Sequence, residues 1–179
     1  MSGVPVVVQY LAEGLLEKGY DVSICTKWYE GLSDKENING IHVYRFRLRK
    51  TLMKRYVGEI DSYRKFVLSL NADVVIFECS ECVTTDVLLR NLSQIKGKKI
   101  FHSHGFSGMR LLPFKWNVNL KYTLGNTYNW FRFKIYYSFT LKKYIKQFDE
   151  TICLSEMDSS KVWLMKNAKK VNAVSYTHL

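Results

Sequence analysis

The sequence predicts an α/β fold built on a doubly wound parallel sheet. Three short apolar runs that do not alternate, ADVVIFECS, KKIFHSHG and ETICLS, have the character of strands buried on both faces, as strands of a parallel sheet are. Helical patterns separate these runs, and strands alternating with helices specify that architecture. The 179 residues suffice for one domain with a real core, and 47% hydrophobic residues with only two prolines place the chain among globular proteins.

From Val4 the apolar positions fall at 4, 7, 8, 11, 12 and 15, the rhythm of one helix face. Pro5 is tolerated in the first turn and Gly19 is placed to end the helix, so VPVVVQY reads as helix despite its valines. YDVSICT follows as a short apolar strand. A polar loop leads to an Asn39-Gly40 turn, after which IHVYRFRL alternates apolar with polar residues, as a strand with one face outward does. A helix is predicted from about Tyr56 to Leu70 and a short one from Thr85 to Leu92, and the segment between KKIFHSHG and ETICLS is helical too. Ser155, with Asp158 three residues on, is a capping-box variant opening a helix through about Lys166, and KKVNAV is one last strand. Before that strand the order is α-β-β-α-β-α-β-α-β-α, without internal repeats or low-complexity stretches. A doubly wound sheet is built outward from a strand that precedes its first helix, and DVSICT and DVVIFE would flank it. No strand precedes Val4, so that first strand is expected to be missing.

A formal charge of +11 and a pI near 9.5 direct the surface towards anionic partners: nucleic acid, anionic lipid headgroups or phosphorylated small molecules. No apolar run approaches the roughly 18 to 20 residues that span a bilayer, and the first residues lack the basic and apolar regions of a secretory signal. A cytoplasmic location follows as the expectation. Cys25, Cys79, Cys82 and Cys153 are then expected to be reduced.

SGVPVVVQYLAEGLLEKGYDVSICT, NGIHVYRF, ADVVIFE, KKIFHSHGF and FDETICLSE, in that order, resemble the N-terminal, Rossmann-like domain of GT-B glycosyltransferases of the large retaining family 4, over about Gly3 to Val174. Within that family the chain is similar to enzymes that assemble bacterial capsular or exopolysaccharide repeat units on a lipid carrier. The resemblance implies retaining transfer of a sugar from a nucleotide-sugar donor to a lipid-linked glycan acceptor, with the nucleotide sugar as substrate and no cofactor. It implies no metal ion, because helix dipoles and side chains stabilise the leaving diphosphate in GT-B enzymes. It also implies a second Rossmann-like domain, holding a Glu-x7-Glu motif and most of the nucleotide pocket, that this chain lacks. Residues 1–174 are read as the acceptor-side domain and 175–179 as a doubtful tail, the whole being a fragment expected to be unstable and inactive alone.

His104, in HSHG at the carboxyl end of a strand, matches the position where the family places a catalytic histidine facing the donor sugar. Sites of open α/β sheets lie at those strand ends in any case. A loop histidine bonded to backbone is the alternative. Gly3 is implied in the Gly-rich turn whose N–H groups meet donor phosphate or acceptor, the alternative being a plain helix cap. His102, two residues before His104 on the same strand face and either its neighbour at the site or part of the core, Gly105 beside it, and Glu78 at the end of VVIFE complete the substrate-binding set with Ser155. A solvated strand-end charge accounts for Glu78 as well, and helix capping alone explains Ser155.

Other chemistries are open to the same residues. Cys79 and Cys82 at CxxC spacing, together with HSH on a neighbouring strand, offer four donors for zinc, although standard sites space their histidines further apart. A redox pair is disfavoured by Glu78 and Glu81, which would raise the thiol pKa. From Gly105 to Phe148 the chain holds eight Lys or Arg, thirteen aromatic residues and no Asp or Glu. Basic and aromatic residues interleaved suit single-stranded nucleic acid, which makes a non-enzymatic binding module the alternative function. No RRM, KH, OB or helix-turn-helix pattern accompanies them, so no nucleic acid is expected. A buried helix would not carry so many cations. A helix at an anionic membrane surface accounts for both features, with Arg110, Lys115, Trp116, Trp130, Phe131, Arg132, Phe133 and Lys134 as contacts. The expected location is therefore the inner face of the cell membrane, held peripherally.

Overall fold

The computed structural model describes residues 3–51, 55–110, 112, 120–154, 158 and 160–173. The chain divides into two compact units, residues 1–72 with 81–96 and residues 73–80 with 97–179.

The first unit opens with α1 (Val4–Glu17), which carries proline in its first turn and leaves through Lys18 and a left-handed Gly19 (φ 84°). Strand β1 (Ser23–Lys27) runs parallel to β3 (Ile41–Phe46), and β2 (Lys35–Ile38) pairs antiparallel with β3. The stretch expected to be a polar loop thus contains a strand. KENI has no apolar alternation to announce it. It is held by the two-residue turn Asn39-Gly40, both with positive φ, and by an ion pair between Glu36 and Arg45. The strand expected over IHVYRFRL breaks at Arg47, whose N–H donates to Glu59 Oε2 at 2.6 Å. Beyond the break, β4 (Leu48–Lys50) pairs with β5 (Tyr56–Gly58), so α2 (Ile60–Ser69) begins later than the sequence predicts. Gly58 has φ 106°, and a Cβ there would collide with the carbonyl oxygen of Arg47. Helices cover both faces of β3. Ile41 and Val43 are buried with Ala12 and Leu16 of α1, whereas Tyr44 and Phe46 pack on Phe66 and Tyr63 of α2. The short helix expected near Thr85 is α3 (Val83–Asp86), followed by a 3-10 turn, Leu89–Gln94, that buries Leu89 and Leu92.

The second unit is a four-stranded sheet in the order β6 (Val74–Glu78), β7 (Lys98–Ser103), β8 (Glu150–Cys153) and β9 (Val171–Ala173), parallel throughout. The strand expected to lie between β1 and β6 was itself expected to be missing, and among the described residues β1 and β6 belong to different ones of three sheets. The α/β class and the Rossmann-like parallel order hold. Phe77 and Phe101 lie side by side in register and meet Phe148, while Phe106 stacks on Tyr137 at 4.6 Å and abuts Trp163. Each such buried ring contributes about 2–3 kcal/mol. After β7 comes α4 (Leu120–Ile135), which continues through a π-helical segment, Tyr136–Leu141, into the short α5 (Lys142–Tyr144). α6 (Lys161–Asn167) starts later than the capping pattern suggests, with Asp158 Oδ1 accepting from the N–H of Ser160.

Glu150 bridges Lys170 (2.7 Å) and Lys98 (2.8 Å), and hydrogen bonds from these ammonium groups lower its pKa from 4.5 to about 2. A depressed carboxylate stabilises the fold above its ordinary pKa and loses that contribution as pH falls through the folded value. Glu150→Gln is therefore expected to lower stability near neutrality and to converge on the parent as pH drops from 4.5 towards 2, as followed by denaturant unfolding at stepped pH.

Candidate active site at the carboxyl ends of the parallel strands

Strand β6 ends at Glu78, and its parallel register sets Glu78 beside His102 of β7. Side chains alternate along a strand, so the partner pair and His104, two residues on, share one face. Glu78 Oε2 lies 3.0 Å from His102 Nδ1 and 2.6 Å from His104 Nε2, and the two imidazole rings are 4.5 Å apart. The histidine side chains are only 4% and 8% exposed, that of Glu78 18%. Burial pushes the Glu78 carboxyl up, but hydrogen bonds from both histidines and their positive fields outweigh it and leave the pKa below the usual carboxylate value. Glu78 is thus an ionised carboxylate held by two imidazole N–H donors. The chain leaves β6 through Cys79 in the left-handed conformation (φ 65°), and Glu81 is also left-handed (φ 64°), conformations that non-glycine residues adopt at a cost and that concentrate at functional sites.

A second set of contacts surrounds the same end of β7. The N–H of the left-handed Gly105 donates to Ser103 Oγ (3.2 Å), which meets Ser160 Oγ (2.9 Å), which donates to Asp158 Oδ1 (2.7 Å). Asp158 Oδ1 would lie 3.7 Å from a Cβ placed on Gly105. The other oxygen, Oδ2, is buried and has no hydrogen-bond partner among the described residues. Sequence reasoning named Asp158 only as a helix cap and missed Ser103 and Ser160. Nothing local marks these residues, because the chain brings together positions more than fifty apart.

Of the residues singled out from the sequence, Glu78, His102, His104 and Gly105 converge here. Gly3 lies in the other unit, at the head of α1, with φ 84° and its carbonyl accepting from Val6 and Val7. Ser155, Lys115 and Trp116 lie outside the described residues, as does the side chain of Arg110. Trp130 is half-buried, with Lys134 over its ring at 4.6 Å, and Phe131 is exposed. Phe133 turns inward: its ring occupies the space where Gly108 lacks a side chain, with the Arg132 guanidinium 4.0 Å from its centroid. The group among the described residues that could hold a metal ion is Glu78, His102 and His104, whose ligand atoms lie within 4.8 Å of one another. Cys79 and Cys82 do not join it, which removes the four-ligand set that the CxxC spacing suggested. Two imidazoles and a carboxylate are a donor set zinc or iron accepts.

This is an α/β domain of the open-sheet class, with a polar cluster at the strand ends where such sheets bind ligands. Residues 1–175 match the family model described as Glycosyltransferase Family 4, and the chain belongs to that family. It is therefore a glycosyltransferase domain, which implies a nucleotide-sugar donor and a glycan acceptor. Neither curated proteins nor solved structures give a match.

Removing the Glu78 carboxylate leaves two nearly buried imidazole N–H groups without their acceptor. Glu78→Ala is expected to cost about 1–3 kcal/mol in denaturant unfolding, and Glu78→Gln, which keeps an acceptor oxygen, less.

Proposed function

We propose that this chain is the acceptor-side domain of a retaining GT-B glycosyltransferase that moves a sugar from a nucleotide donor to a lipid-linked glycan at the cytoplasmic membrane face, in the assembly of a capsular or exopolysaccharide repeat unit. The observation that carries the reading is the Glu78–His102–His104 cluster, which sits where open α/β sheets bind ligands. Glu78 anchors the imidazole, and His104 is the group at the reaction centre. Removal of a positioned group there typically costs 10² or more in turnover. In an enzyme joining this domain to a nucleotide-sugar-binding domain, His104→Ala is expected to lower kcat about 10²-fold with the fold intact. Unaltered kinetics would return His104 to a structural role. Metal analysis of the same enzyme is expected to find no stoichiometric ion.

The membrane part of the reading rests on a different surface. Leu124, Tyr128, Phe131, Ile135 and Phe139 recur at helical spacing along α4 and the π segment and are 54–71% exposed. The cations Lys134, Lys142, Lys143 and Lys146 are exposed on the same stretch, which carries no acid. An aliphatic and aromatic stripe flanked by lysines fits an anionic lipid surface. Leucine and isoleucine within the stripe favour lipid over nucleic acid, whose bases need flat rings. Among the described residues no helix is long and apolar enough to cross a membrane, so the contact proposed is peripheral. Each engaged cation adds about 1 kcal/mol near an acidic leaflet. Replacing Phe131, Ile135 and Phe139 with serine is expected to reduce flotation with anionic vesicles even at low salt. If vesicles ignore the parent chain while single-stranded RNA retards it in a gel, the nucleic-acid-binding reading takes over.

A further inference from the structure

We propose that a cleft in the first unit, lined by Arg55, Arg64 and Arg90, binds the phosphate or diphosphate group of a ligand. The cleft has a volume of about 580 Å³ and lies among the entry to β5, the first turns of α2, and the end of α3 with the 3-10 turn that follows it. Every residue that lines it belongs to the first unit, whereas Glu78, His102 and His104 belong to the second and take no part in it.

Side-chain hydrogen bonds fix the walls against one another before any ligand arrives. The Tyr56 hydroxyl of β5 donates to Asp86 Oδ2 of α3 at 2.6 Å, the Tyr63 hydroxyl of α2 donates to the Thr84 carbonyl at 3.0 Å, and Arg64 Nε donates to the Val87 carbonyl at 2.9 Å. A site already held in place has little ordering left to do on binding. The same contacts occupy the acids of the cleft, since Asp86 accepts from Tyr56 and Asp61 accepts from Arg64 Nη1 at 3.2 Å. The cations are in the opposite condition. Among the described residues the guanidinium groups of Arg55 and Arg90 make no hydrogen bond or ion pair, and Arg64, its plane fixed through Nε and Nη1, keeps Nη2 for a ligand.

The kind of cation decides the kind of anion. Lysine outnumbers arginine more than twofold in the chain, yet every cation lining the cleft is arginine. An ammonium is a point charge, whereas a guanidinium is a planar fork that meets two oxygens of one group at once. Three forks offer more donors than the two oxygens of a carboxylate can use, and the oxygens of a phosphate or diphosphate can engage all three. The volume lies in the range of small-molecule sites, so it also admits whatever group the phosphate carries.

The test is calorimetric titration of the full chain with inorganic pyrophosphate, and saturable binding of one equivalent is expected. Arg55→Gln and Arg90→Gln are each expected to weaken it about tenfold, since each removes charge-assisted hydrogen bonds. Neither side chain holds another element, so denaturant unfolding of both variants is expected to match the parent. Arg55→Lys with Arg90→Lys keeps the charge and loses the forks, and a several-fold loss is expected there too. Lys166→Gln with Lys169→Gln, which removes equal charge from the second unit, is expected to leave the affinity in place. Flotation with vesicles of phosphatidylcholine and phosphatidic acid then identifies where the phosphate comes from. Release of the chain from these vesicles by pyrophosphate, together with loss of flotation in Arg55→Gln with Arg90→Gln, assigns a lipid headgroup; any other flotation result assigns a soluble phosphate compound. The cleft itself is overturned by an absence of saturable pyrophosphate binding, by arginine variants that bind within twofold of the parent, or by an equal loss in the Lys166 and Lys169 variant. Sugar transfer does not enter the measurement, so either result leaves the glycosyltransferase reading to its own test.

Discussion

The parallel register between β6 and β7 is the constraint on which the site depends. Pairing Phe77 with Phe101 places two rings on the face that meets Phe148, and the same register necessarily pairs Glu78 with His102 on the opposite face. A slip of one residue would carry the carboxylate into the aromatic core and a phenylalanine to the strand end. The hydrophobic layer and the polar cluster are thus two readings of one ladder, and apolar packing holds the reactive geometry as firmly as any hydrogen bond.

Burying a carboxylate beside two imidazoles works only because the partners are complete. Desolvation opposes the charge, and the two N–H groups reverse the balance. Around the other side of the strand end, the relay from Gly105 through Ser103 and Ser160 finishes on one oxygen of Asp158 and leaves the second unused. Among the described residues the buried side-chain atoms without a partner are Asp158 Oδ2, Asn129 Oδ1 and Arg132 Nε, and of these only the first lies at the end of β7. The left-handed Cys79 immediately after Glu78 fits the same account, as backbone strain is retained where ligands are held.

Much of the architecture is legible in the sequence because continuous apolar runs and helix rhythm are local signals. The elements that escape it have no such signal: β2 is polar and exists through its hairpin turn, and β5 is three residues held against β4. For the site, strand ends are readable, so Glu78 and His104 can be named individually. Their meeting is not, since it depends on register and on how β7 bends at Gly105. Asp158 is visible only as a cap, because its neighbours at Ser103 and Gly105 come from another part of the chain. Composition likewise identifies the basic and aromatic segment but not its outward face; Phe131 and Phe133 look equivalent in sequence and end on opposite sides of their helix.

Gly108 has a consequence beyond its own turn. Because the Phe133 ring fills the place of its missing side chain, the loop leaving His104 and the exposed helix share a single mechanical seat. The joint has no slack, as any larger residue would collide with the ring. A force that lifts, tilts or presses the helix is therefore delivered to the backbone a few residues from the His104 imidazole. In the membrane-bound reading proposed above, the footing and the end of β7 would behave as one lever.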